Sequence, residues 1–193
     1  MRKFCKANNI PYPSFIVIQA GTRVMETFNV GYFDSPIRIA NELPPEIQIP
    51  RVIEICNKYG IFMKEHNADY LSTDSLIWQS RMGIHAANIA PEFGVAETKA
   101  LVDVLEKNNL NDVLDEFLSI SYESRKWEKW MLRDSTATYK DKAIIAGHYV
   151  FSSDQFIELK KKVSRRIINL EDLLKQEVKN SIFRYMKAFN LAN

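Results

Sequence analysis

The stretch "KEHNADYLS" sets Lys64, His66 and Asp69 close together, and Asn88 and Glu92 follow in "HAANIAPEFG". The chain holds three histidines, and two of them, His66 and His85, stand at the ends of short apolar runs. A neutral imidazole in such a place suits a divalent metal, and an amide such as that of Asn88 can hold a substrate hydroxyl or carbonyl. Side chains alternate along a strand, so Lys64 and His66 share one side, as Ala86, Asn88 and Ala90 do on the next run. With the Lys64 side turned to a barrel interior, His66 reaches the site from its rim.

Plainer readings stand beside these. A rim histidine serves equally as a simple hydrogen-bonding residue, and one histidine does not make a metal site. His85 lies one residue into its strand and is read as facing a helix layer, and His148 in "AGHYVF" is read as structural too. The basic run "KKKVSRR" reads as a solvated helix face, and "RKWEKW" as packing Trp127 and Trp130 onto the barrel. Glu97 and Lys99, near a helix start, need no function.

The elements that would position these residues follow from periodicity. "SFIVIQAGT" (14–22) is a β-branched and aromatic run closed by Gly21, read as a strand buried on both faces. Residues 34–50 carry four prolines and read as a rim loop. "RVIEICNKYG" has helical spacing and stops at Gly60. "IFMKEHN" (61–67) is a second strand, "STDSLIWQSRMG" a capped short helix, "IHAANIA" (84–90) a third strand, and "VAETKALVDVLEKNN" (95–109) the helix behind it. Such alternation predicts a parallel sheet with helices outside it.

Beyond Asn109 the pattern turns helical. "NDVLDEFLSISYESRKWEKWM" is amphipathic to about Met131, and "AIIAGHYVF" (143–151) is a strand or a buried helix end. Ser152 and Gln155 stand at capping-box spacing, and the last helix runs from Leu170 to about Phe189. The expected division is therefore 1–110, the last βα units of a barrel, and 111–193, a helical extension. Three βα units are too few for a closed eight-stranded barrel or for a five- or six-stranded open sheet. The expectation is the C-terminal part of something larger.

With 26 basic and 24 acidic residues the net charge is +2, which gives no reason to expect nucleic acid or an anionic membrane as partner. Two cysteines, Cys5 and Cys56, make no disulfide framework. The N-terminus lacks the pattern of a secretory signal, and no apolar run approaches the ~20 residues of a membrane helix. A cytoplasmic location is expected.

"FIVIQAGTRVMET", "EHNADYLS", "GIHAANIAPEFGVAETKAL" and "RKWEKWM…AIIAGHYVF" resemble the C-terminal part of class II tagatose-bisphosphate aldolase subunits of the Z, or non-catalytic, type. The resemblance covers roughly residues 15–151. It implies a partial TIM-type (β/α)8 barrel, its last three βα units, followed by C-terminal helices. It further implies a cytoplasmic oligomer in galactitol or tagatose-type sugar catabolism that supports a catalytic aldolase subunit. Some members look like metal-dependent sugar or sugar-phosphate 4-epimerases working by retro-aldol chemistry, the alternative reading.

In the catalytic relatives a His-Gly-Ala-Ser-Asp type motif supplies a zinc ligand, and "EHNAD" here supplies His66 and Asp69. An Asn-Val-Ala-Thr type motif contacts substrate, and "ANIAPE" supplies Asn88. The second zinc histidine is missing, since that strand reads "QAGTRVMET" and no histidine precedes His66. Glu26 or Gln19 is the substitute in an altered site. The resemblance thus implies a divalent metal, most simply zinc, in the intact barrel, and leaves this chain alone without a complete site. Its candidates are His66 for metal, Asn88, Lys64 and Gln19 for a sugar phosphate, and Glu26 and Asp69 for catalysis.

Overall fold

The computed structural model describes residues 2–192, which fall into two compact units. The first takes in the chain to Arg23 together with Asn29–Asn88. The second takes in Val24–Phe28 and Ile89 onward.

Unit one is α/β. Helix α1 (Arg2–Ala7) precedes strand β1 (Phe15–Ile18); the hairpin of β2 (Arg23–Met25) and β3 (Phe28–Val30) comes next, with its Val24–Phe28 portion counted in unit two. Helix α2 (Pro45–Tyr59), strand β4 (Phe62–Glu65), helix α3 (Thr73–Arg81) and strand β5 (Ala86–Ala87) follow. The sheet order is β1-β4-β5, parallel throughout, with Phe15 opposite Phe62, Ile18 opposite Glu65 and Lys64 opposite Ala86. Parallel order is what right-handed βαβ connections produce.

Several boundaries differ from the periodicity reading. Helix α2 begins at Pro45, inside the stretch read as loop, and carries Pro50 within it. Proline suits the first helical position, while Pro50 lies past the first turn and forfeits the backbone hydrogen bond to the Glu46 carbonyl. Gly60 ends α2 in the left-handed conformation. Strand β5 has two paired residues, although His85 N–H to the Met63 carbonyl (3.0 Å) and Asn88 N–H to the Glu65 carbonyl (2.9 Å) extend its ladder. β1 is not buried on both faces, for Phe15 is 45% and Val17 56% exposed. Ile16, Met63 and Glu65 turn the other way, and α2 packs on β4.

Unit two holds α4 (Pro91–Lys107), α5 (Asn111–Glu123), a 3-10 turn (Glu128–Trp130), α6 (Tyr139–Gly147), α7 (Asp154–Ser164) and α8 (Leu170–Ala188). Helix α4 packs on α5, α6 and α8, so it belongs with the helices and not with the strands before it. Leu101, Leu105, Phe117, Ala143, Phe156, Leu159 and Leu170 close the core.

Here too the limits shift. Helix α5 stops at Glu123, well short of Met131, and Arg125 takes a positive φ before the 3-10 turn. The apolar run 143–151 is the end of α6 and a turn. The cap of α7 is Ser153, whose hydroxyl accepts the Phe156 N–H at 3.2 Å, rather than Ser152. No helix among the described residues is long and apolar enough to cross a membrane.

Candidate functional site

At the carboxyl end of β4, alternation sends successive side chains to opposite faces. Lys64 and His66 continue the row of Phe15, Val17 and Phe62, and the register sets Ala86, and beyond it Asn88, on that same face. The His66 N–H donates to the Ile18 carbonyl at 2.8 Å, which holds the residue in ladder geometry while its ring is exposed. Phe15 and Phe62 lie side by side, ring centroids 5.5 Å apart. The face is therefore an apolar floor with a lysine, a histidine and an amide at its carboxyl rim.

The other candidates fall elsewhere. The Gln19 amide donates to the Thr22 carbonyl at 2.5 Å and so braces its own loop. Asp69 is buried, and its carbonyl accepts the Asn29 amide at 2.7 Å. Glu26 belongs to the helical unit, where its N–H donates to the Trp130 carbonyl at 2.7 Å and its carboxylate accepts the Leu132 N–H at 3.4 Å. His85 is exposed, with its ring 4.6 Å from that of Phe62, rather than packed in a helix layer. Trp127 stacks on Tyr122 at 5.2 Å and donates its indole N–H to the Tyr122 carbonyl at 2.9 Å, all inside the helical unit.

Glu65, which the motif reading passed over, is the chemically unusual residue. It is wholly buried on the face opposite His66. Its Oε1 lies 2.8 Å from the Ala20 N–H nitrogen and 2.8 Å from Thr22 Oγ1, while Oε2 is buried without a hydrogen-bond partner. Burial pushes its carboxyl up to about 7, against the lowering effect of the Ala20 N–H and the Thr22 hydroxyl. Tyr32 is fully buried too, and burial chiefly, with the Glu65 charge adding to it, holds its phenol above the usual range.

Thr22 Oγ1 also lies 2.5 Å from the His66 carbonyl, which can only accept. A hydroxyl has one hydrogen. When Thr22 donates it to the His66 carbonyl, the hydrogen on the Thr22–Glu65 contact must come from Glu65, so this geometry suits a neutral carboxylic acid. The period-2 alternation in "FMKEH" is the sequence signal, since it sets Glu65 with buried Met63.

A divalent metal fits poorly on this chain's own residues. Among the described residues no three of His, Cys, Asp and Glu come together in a way that would hold one. His66 can supply at most one ligand. No family model, curated protein or solved structure matches the chain.

Proposed function

We propose that this chain is the C-terminal portion of a barrel of the Z-type tagatose-bisphosphate aldolase subunit class, acting in sugar catabolism in support of a catalytic aldolase subunit. The observation that supports this reading is the uncovered face of the parallel sheet. Parallel sheets are ordinarily covered on both faces. Here α2 packs on β4, while Phe15, Val17 and Phe62 stand exposed on the far side. In a closed barrel that side is the packed interior, and the rim at the strands' carboxyl ends is where substrate sits. On this reading Lys64, His66 and Asn88 stand at that rim. A lysine suits a phosphate and an amide suits a sugar hydroxyl or carbonyl.

The test is co-expression with a class II catalytic aldolase subunit, followed by size-exclusion chromatography and tagatose 1,6-bisphosphate cleavage. Co-elution with raised or longer-lived activity is expected. Failure to associate, with cleavage unaltered, would sink the proposal. Metal-dependent 4-epimerisation of a sugar phosphate without any partner would replace it with the epimerase reading, in which His66 serves as one metal ligand.

A further inference from the structure

The helical unit carries a cation with no counter-ion. Lys129, in the 3-10 turn, is exposed, and among the described residues no carboxylate pairs with it. Its ammonium stands 4.7 Å from the centroid of the Trp130 ring and 5.1 Å from that of Tyr149. Two ring faces thus fix the position of a charge that would otherwise swing in water. Nearby carboxylates are committed elsewhere. Glu128 pairs with Arg125 at 2.6 Å, Glu92 with Arg184 at 2.8 Å, and Glu26 takes a backbone N–H.

His148 stands beside this charge. Its ring lies 4.0 Å from that of Tyr149, at the end of α6, and is half-buried. The ring is pinned against Gly94 in the first turn of α4, where a Cβ would come within 2.6 Å of His148 Cγ. His148 Nδ1 is buried without a partner. A buried N–H with no acceptor is costlier than a bare lone pair, so the single proton of the neutral ring belongs on Nε2. Burial first, and the Lys129 charge second, hold the imidazole below its usual range, which keeps it neutral near pH 7. Nε2 is not among the buried nitrogens and takes no partner within the described chain. It is left with an N–H to donate, in a ring that the Lys129 charge reaches.

A fixed ammonium and an adjacent N–H donor, both lacking acceptors, point to an oxyanion. The cation is a lysine, a point charge of the kind that binds a phosphate without needing bidentate geometry. We propose that Lys129 and His148 form a binding subsite for the phosphate group of a small phosphorylated ligand. The subsite stands on the helical unit alone and does not depend on the aldolase-support reading.

The test is NMR of the full chain, 15N-labelled at histidine. It is titrated with inorganic phosphate and with glycerol 3-phosphate, with ionic strength held constant by chloride. A saturable shift of His148 Nε2 and a rise in the His148 pKa are expected, with acetate giving neither. Lys129→Gln should weaken phosphate binding by about tenfold or more, while Lys129→Arg, which keeps the charge over both rings, stays within about threefold. A His148 response that fails to saturate, that acetate reproduces, or that survives Lys129→Gln unchanged would leave the cluster as a cation–π clamp between the turn and α6 and overturn the proposal.

Discussion

Thr22 ties Glu65 to the loop after β1: the two side-chain oxygens stand 2.8 Å apart, and the Ala20 N–H reaches the same carboxyl oxygen. This anchors the end of β4 through a group that folding makes reluctant to ionise. The first prediction follows from that reluctance. The folded carboxyl, near 7, lies above its unfolded value, so the fold binds its proton more tightly than the unfolded chain does. Stability from Glu65 is therefore fully present below the unfolded pKa and is lost as pH rises through about 7. Urea denaturation should show a loss on the order of 2 kcal/mol between about pH 5 and pH 8. His148, whose folded pKa is depressed, contributes a slope of opposite sign. The comparison with Glu65→Gln isolates the carboxyl: the variant should lose this downward slope, and an unchanged pH profile would refute the assignment.

Asn29 is the second anchor. Its amide nitrogen donates to the carbonyls of Asn67 (2.6 Å) and Asp69 (2.7 Å), and its oxygen accepts the Arg23 N–H (3.2 Å). Asn29→Ala strands these groups in a mostly buried setting and should cost about 2–3 kcal/mol. Thermal unfolding gives the number. A loss below half a kilocalorie would mean that water replaces the amide.

The two faces of β4 should answer differently to substitution. Met63 is wholly buried, so Met63→Ala should cost about 2–4 kcal/mol. Phe62 is 49% exposed, so Phe62→Ser should cost under about 1 kcal/mol and reduce self-association measured by light scattering. Equal costs at the two positions would mean that the outer face is covered in solution.

Gly94→Ala should drive the His148 ring from its seat, since the added carbon would fall within 2.6–2.8 Å of three ring or Cβ atoms. A loss of about 1–3 kcal/mol is expected from such overpacking. Gly94→Ala combined with His148→Gly, which removes all three close atoms, should recover much of it, as residues in contact are not additive. Additive losses would show that the close approach is relieved some other way.

The parallel order of β1, β4 and β5 was legible because apolar runs alternate with helical spacing, and short connections leave little topological choice. The hairpin of β2 and β3 was not. Its turn, Glu26-Thr27, carries neither Gly, Asn nor Pro, and Glu26 itself takes the positive φ. At the site, the alternation that grouped Lys64 with His66 also placed Glu65 on the buried side, yet its partners Ala20 and Thr22 lie more than forty residues away in sequence. No local pattern announces contacts of that range. His148 is a similar case, for its setting depends on Gly94 in another helix.

The path of the chain has a consequence for how the molecule can be divided. It passes from one compact unit to the other at Arg23/Val24, returns at Phe28/Asn29, and leaves again at Asn88/Ile89. A fragment beginning at Ile89 holds all the major helices of the second unit but lacks Val24–Phe28, and with them the Glu26 N–H that serves the Trp130 carbonyl. Proteolytic nicking after Asn88 therefore yields no intact helical domain, and neither does cloning from that point. The helical unit is thus not one continuous run of chain, and no single cut between the two units releases it whole.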